Sequence, residues 1–439
     1  MYERLPNDVR SSLGCRVSVA VYDVVHAAMV RTSATMNTAF LIMYLLVSQF
    51  LGVWTRYVYL RIYHCWMVMS GHCKGSSCFD TAVDTGRIVG DVDESQIQPS
   101  SFEPVLSGEG YVLDAEINGL FRPERRRRIR SSVEDLGDGR KERVDLSGGY
   151  ELKRGFTYLL RLEEQIRLED DEYVKGSPKS SLGRLFLHTR LLADYNRGFD
   201  EIHPHGDGVM DLYVLVQPLV FNVVVAPGYS LNQLRWFEGV GARLEPDSLL
   251  ERHAEKPVLV RERGGSWSAA DLTVSDSVYL HLDLRGGEDD VVGLRAKSTP
   301  RPIDIRVKDE YAVKDFFEPV SSSSGEVEVR SKEYYLFGSK EVFSMPDDLS
   351  AEAYQYSSTG ISGPLHFAGF IDNGFSGNLV FEVRSDEMSN MRIYDGMPIS
   401  KVDFFETRGA DKVYGEGIGS NYDGQRRIQP AKYFKDSSF

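Results

Sequence analysis

The feature that most restricts what this chain can fold into is an internal duplication. The stretch YLLRLEEQIRLEDDEYVKGSPKSSLG (158–183) aligns without a gap on YLFGSKEVFSMPDDLSAEAYQYSSTG (335–360). Eight of the 26 positions are identical, where ordinary composition would give about one or two. The correspondence resumes at PGYSLNQLRWF (227–237) against DGMPISKVDFF (395–405). One unit is therefore present twice, and its architecture must serve both copies. From about residue 85 the texture is short alternating runs punctuated by Gly, Pro and Asp, the pattern of β-strands joined by turns. Forty glycines, 17 prolines, 22 phenylalanines and 23 tyrosines fit the same class. The copies place a first domain at 82–245, a connector at 246–284 and a second domain at 285–439. PDSLLERHAEKPVLV in the connector reads as a short helix and a turn.

Residues 1–81 differ in texture. Between Arg31 and Arg56 lie 24 uncharged residues, long enough to span a bilayer. They are read either as a membrane segment or, preferably, as an extension upstream of a start at Met67 or Met69. All four cysteines (Cys15, Cys65, Cys73, Cys78) fall in this region or at its edge, so everything after residue 78 is free of disulfides and thiolate ligands. That fits a reducing, cytoplasmic setting. His64, Cys65, His72, Cys73 and Cys78 match no zinc spacing. The net charge of −14 argues against a protein that coats nucleic acid, because nothing offsets phosphate repulsion globally. A small anion held by a local cluster of donors remains compatible. The basic run RPERRRRIR (122–130) reads as a solvated loop.

The copies differ where chemistry is concerned. Copy one ends its repeat in KSSLGR, which gathers Lys179, Ser180, Ser181 and Arg184; copy two has YSSTGI there, with Ile361 in place of the arginine. In AGFIDNGFSGNLVFEV (368–383) an apolar strand carries Glu382, whereas Leu215 takes that place in DLYVLV (211–216). If KSSLGR of the first half faces the Glu382 strand of the second, one complete site forms and its mirror is dead. A carboxylate buried in an apolar strand needs a partner, and Arg184 arriving across the interface is the partner expected.

These segments resemble the dCTP deaminases of the dUTPase-like superfamily, in the long form with two fused β-domains. KSSLGR resembles that family's R-S-S-L-A-R motif, and AGFIDNGFSGNLVFE its A-x-x-I-D-P-G-x-x-G-x-x-x-x-E motif. IYDGMPISKVDFFE is similar to the glycine turn and strand that follow, YGEGIGSNYDGQ (414–425) to the C-terminal arm, and QIQPSSFEPVLSG (96–108) to the opening element. Two departures stand out. Asn373 replaces the proline of D-P-G, and Asn421 stands where the arm usually has a lysine, with Arg426, Arg427 or Lys432 as replacements.

The resemblance implies a mainly β fold of two tandem distorted jelly-roll barrels with a few short helices. It implies hydrolysis of dCTP to dUTP and ammonia without zinc, and the zinc deaminase pattern H-x-E…P-C-x-x-C does not occur after residue 78. A metal-free route needs a carboxylate that titrates near working pH, a direction in which burial moves carboxylates. In the roles implied, Glu382 activates the water, and Arg184 and Ser180 hold it and the developing charge near Ala368. Backbone around Val380 reads the base, and Asp372 takes the 3′-hydroxyl. Lys179, Ser181 and Gly183 bind the nucleotide with the arm residues Tyr414 and Gln425, which order on ligand, and Mg²⁺ bridges the phosphates. Relatives assemble as trimers, so a homo-oligomer is expected; membrane contact follows only if the N-terminal segment is genuine. The rivals are a dUTPase or a bifunctional enzyme forming dUMP, because Asp372 is present, and a catalytically silent nucleotide-binding regulator.

Overall fold

The duplicated stretch folds as neighbouring strands, Thr157–Ile166 and Glu172–Pro178, and its second copy as Tyr334–Ser344 and Leu349–Gln355. Each strand of the second pair starts 177 residues after its counterpart, the offset of the sequence repeat. Register follows the same rule. Leu159 lies opposite Leu215 of Met210–Pro218, and Leu336 lies opposite Glu382 of Ser376–Arg384. Leu215 and Glu382 thus hold one place in two halves. Gly110 and Gly293 share another, opposite Leu160 and Phe337. A Cβ on Gly110 would lie 2.6 Å from Leu160 Cδ2, and one on Gly293 2.4 Å from Phe337 Cε1. Glycine is needed at both because a large side chain from the next strand lies across it.

The structure is a computed structural model that describes residues 71–435 apart from 114–122, 138, 207, 264–265, 271, 273–277, 287–289, 357–367 and 386–388. The uncharged segment 32–55, Met67 and Met69 lie outside the described residues. Among those described, no helix is long and apolar enough to cross a membrane.

Residues 71–81, which the sequence assigned to the extension, open the folded body. The strand His72–Lys74 pairs antiparallel with Asn232–Glu238 of the first half and parallel with Pro398–Arg408 of the second. Cys73 sits between Phe237 and Thr407, so strands of both halves join one sheet. The helix Ser76–Asp84 sends Phe79 into the first core against Phe102 and Trp236. The connector also does more than link. Its helix Pro246–Glu255 starts with proline in the first turn, where the missing N–H costs nothing. Leu259–Arg263 then pairs with Tyr334–Ser344, and Val278–Asp283 with Pro398–Arg408. Residues 246–284 are thus woven into the second sheet.

Two main cores result. The first takes Phe316, Phe317, Leu336, Val380 and Phe434 from the second half, while Phe337, Phe343, Phe381, Val383 and Phe404 form part of the second. Ser376–Arg384 is therefore buried on both faces: Val380 points one way, Phe381 and Val383 the other. A strand covered on both sides reads as a continuous apolar run, and Glu382 shares the alternation of Val380, on the side of the first half.

The halves also meet at counterpart positions. Lys175 and Glu352, 177 residues apart, form an ion pair at 3.0 Å. In its own ladder Lys175 lies opposite Arg235, and Glu352 opposite Asp403. The first half thus offers two cations where the second offers two carboxylates. Lys175→Glu is expected to lower unfolding free energy by about 1–3 kcal/mol, with at least half regained in the exchanged pair Lys175→Glu/Glu352→Lys. Chemical denaturation measures both, and a single variant as stable as the parent chain would contradict the assignment.

Candidate functional site

The KSSLGR segment begins as the strand ends at Pro178. Lys179 is still extended (φ −67°, ψ 140°), and Ser180–Gly183 form one helical turn. Buried Leu182 and Leu185 anchor it in the first core. The turn abuts the second half: a Cβ added to Gly183 would lie 2.7 Å from Glu382 Oε1 and 3.0 Å from the Cβ of Ala368. Any side chain at 183 would displace the carboxylate. Glu382 itself is 2% exposed, so its acid group is held at the contact between halves.

Arg184 takes a different direction from the one expected. Its Nη1 and Nη2 donate to Gln425 Oε1, each at 3.3 Å, and Nη1 also donates to the Gln429 carbonyl at 2.9 Å. The guanidinium carbon lies 3.7 Å from the centre of the Tyr422 ring. The Gly183 backbone meets Glu382 from the first half, and Arg184 serves the arm. The cause is helical phase, since the next residue of a helical turn points about 100° further round.

The arm packs down between the halves. Tyr414 donates its N–H to the Asn373 carbonyl at 2.9 Å and sets its ring edge-on to Phe375. Burial pushes its phenol up, keeping it neutral. The Tyr422 hydroxyl lies 2.7 Å from Ser181 Oγ, and Gln425 Nε2 donates to the Asn378 carbonyl. Below the arm, Phe375 N–H donates to the Asp372 carbonyl at 3.2 Å across a turn in which Gly374 has φ +81°. Glycine suits that left-handed position, and Asn373 before it donates Nδ2 to the Lys412 carbonyl at 3.0 Å, a tie that proline could not make.

Asp372 Oδ1 accepts from Ser100 Oγ at 2.6 Å and from Arg235 Nη2 at 3.3 Å. Arg235 is fully buried, donates further to the carbonyls of Ala351 (2.6 Å) and Ile371 (3.3 Å), and stacks its guanidinium 4.3 Å from the Phe370 ring centre. Sequence reading passed over Ser100 and Arg235. A signal was present: Arg235 interrupts the apolar strand LRWF as Glu382 interrupts LVFEV.

A cavity of about 300 Å³ lies between these elements. Lys179, Ser180, Ser181 and Arg184 line it from the first half. Asp372, Tyr414 and Gln425 line it from the second, with Asn421 and Lys432 further along the C-terminal segment. Lys179 Nζ donates to Glu103, a carboxylate also on the cavity wall. Gly183, Ala368 and Glu382 meet beside the turn. None of these three lines the cavity itself, and neither does Val380, whose side chain enters the first core while its neighbour Leu379 lines the cavity. Arg426 turns to the Gln425 carbonyl and Ser376 Oγ. In the counterpart of KSSLGR in copy two, residues 357–361, Ile361 included, lie outside the described residues. Among those described, no three His, Cys, Asp or Glu side chains converge as a metal cluster.

Known proteins are similar to this chain over both of its halves. Residues 76–240 match the family model of the 2′-deoxycytidine 5′-triphosphate deaminase N-terminal domain, and residues 246–434 that of the C-terminal domain. A "dCTP deaminase, dUMP-forming" of Methanosphaerula palustris is 29% identical over 156 residues, 32% of this chain and 84% of that protein. One from Streptomyces coelicolor is 39% identical over 106 residues, 23% of this chain and 56% of that protein. The crystal structure of 2′-deoxycytidine 5′-triphosphate deaminase from Agrobacterium tumefaciens superposes with a TM-score of 0.69 at 26% identity, covering 77% of this chain and 99% of that one. With both family models matched in order along its length, this chain belongs to the dCTP deaminase family, in the two-domain form.

Proposed function

We propose that this chain hydrolyses the amino group from C4 of the cytosine of dCTP, releasing ammonia, at one site shared by its halves. The observation that carries this reading is the contact of Gly183 with Glu382 and Ala368, which brings an acid from one half to a hydroxyl-rich turn of the other. In the reaction, Glu382 takes a proton from water as its oxygen bonds to C4 and passes that proton to ring N3. The second water proton then leaves with the amino group as the C4–N bond breaks and ammonia forms. Ser180 on the cavity wall holds the water near Ala368, and Arg184 holds the arm over the bound nucleotide. The ladder beside Ser376–Arg384 is interrupted between Gly338 and Val342, and the backbone around Val380 reads the base edge in this proposal. Asp372, fixed by Arg235, accepts the 3′-hydroxyl.

Lys179, Ser181, Gly183, Tyr414 and Gln425 enclose the nucleotide. dCTP enters as its Mg²⁺ complex, with the metal carried on the phosphates, since Glu103 already accepts from Lys179. The reading needs no zinc, in line with the missing ligand pattern after residue 78. A cytoplasmic homo-oligomer of tandem jelly rolls belongs to the same reading, and the free thiols of Cys73 and Cys78 suit a reducing compartment.

A second reading is favoured by the names of the relatives, "dCTP deaminase, dUMP-forming". Asp372 on the cavity wall is the carboxylate that would direct water at the α-phosphate. Product analysis separates the two: dUTP and ammonia in the first case, dUMP, ammonia and pyrophosphate in the second.

Glu382→Gln keeps the shape and removes the base, so ammonia release from dCTP is expected to fall by about 10²–10⁴-fold; undiminished turnover would overturn the proposal. Gly183→Ala forces a methyl against the carboxylate and is expected to lower turnover about 10²-fold while circular dichroism stays that of the parent chain. Full activity in that variant would show that the Gly183–Glu382 contact is incidental.

A further inference from the structure

Three cations line the cavity among the described residues: Lys179, Arg184 and Lys432. Two are already engaged. Lys179 donates to Glu103, and Arg184 to Gln425 and Gln429. Lys432 differs, because among the described residues its ammonium has neither a carboxylate nor a hydrogen-bond partner, and its named contact is the Tyr433 ring, 5.8 Å from the centroid. A half-buried ammonium beside a second lysine is unfavourable unless an anion joins it.

The backbone that carries Lys432 is clamped. Its N–H donates to the Tyr422 hydroxyl at 3.1 Å, the hydroxyl that also meets Ser181, and its carbonyl accepts from Asp309 N–H at 3.1 Å. On its C-terminal side Phe434–Lys435 pairs with Tyr311–Ala312, and the Phe434 ring packs against Phe316 and Phe317. A flexible four-carbon stem thus starts from a fixed point on the cavity wall.

We propose that Lys432 is the specificity residue that makes this site select a nucleoside triphosphate over a monophosphate, by taking terminal phosphate oxygens together with Lys179. The inference rests on the deaminase reading above. The surroundings of the ammonium agree with it: burial first, then the charge of Lys179, push it down to about 8, with Glu103 opposing and Lys308 adding. Arg184 and the hydroxyl groups of Tyr422 and Tyr433 complete the groups around it. A phosphate here offsets both the burial and the repulsion, and so raises the proton affinity of the ammonium. The sign for binding follows. Below about pH 8 the free form is already charged and the contribution to affinity is whole; as pH rises through that value the free form loses its proton and affinity declines.

The test is calorimetric titration of the full chain carrying Glu382→Gln, which prevents turnover, with dCTP and with dCMP as probes. Lys432→Met is expected to weaken dCTP about tenfold to a hundredfold, the range of a charge-assisted contact, and dCMP by less than about twofold. Lys432→Arg, which stays charged, is expected to keep dCTP affinity and to abolish its decline between about pH 7 and 9. Equal losses for both nucleotides, or dCTP affinity untouched in Lys432→Met, would overturn the inference alone. Failure of the chain to bind dCTP at all would sink the deaminase reading and this inference with it.

Discussion

Arg235 is the tie on which the rest of the site depends. A guanidinium taken wholly out of water is costly unless most of its donors are met, and stripping a partner from such a group costs about 3–5 kcal/mol; the Nη donors of Arg235 are met, while its Nε has no partner. Of its acceptors, the Ala351 and Ile371 carbonyls and the Asp372 carboxylate all belong to the second half; Ser100 is the contribution of the first. The two halves cannot part without exposing this charge. The same bonds set Asp372 on the cavity wall, and the turn that follows, through Asn373 and Gly374, gives the arm its root at Lys412 and Tyr414. Cohesion between the halves and placement of the cavity-lining residues are one set of interactions.

The acids of the duplicated strand show how little identity alone reveals. Glu164 and Glu341, matched between the copies, are both buried, and each accepts a backbone N–H at 2.9 Å, from Val105 and from His281. Burial raises Glu164, with Gln96 and Val105 opposing. At Glu341 burial pulls the same way but His281 and Arg261 outweigh it, and the group is lowered. One structural duty, holding a neighbouring backbone, has been kept in two electrostatic settings. Glu382 has no such twin, and it is the difference between copies that marks it out.

Much of the molecule was legible for the same reason. Strand pairs at a spacing of 177, the equivalence of Leu215 and Glu382, and the meeting of KSSLGR with the Glu382 strand all follow from comparing two copies. What escaped lies where that comparison has no purchase. His72–Lys74 is a three-residue strand whose partners are both more than 150 residues away, so local pattern could not place it. The connector strand Leu259–Arg263 carries three charged residues in a row, Arg261–Arg263, so no apolar alternation marked it. Arg184 was assigned by charge complementarity, whereas its direction is fixed by phase within a single turn, a detail finer than residue type.

The charge reversal between the halves and the division of the site describe one constraint. At counterpart positions the first half carries Lys175 and Arg235, and the second carries Glu352 and Asp403. Pairing unlike halves joins Lys175 to Glu352, and Phe237 to its counterpart Phe405 with ring centres 5.1 Å apart. Pairing like halves by the same surface would set cation against cation or carboxylate against carboxylate, which is disfavoured in partly buried contacts. Two first halves would also bring KSSLGR to Leu215, where there is no carboxylate. With KSSLGR in one copy and the matching carboxylate in the other, only unlike halves bring the two together, and the four charged positions beside the interface favour that pairing.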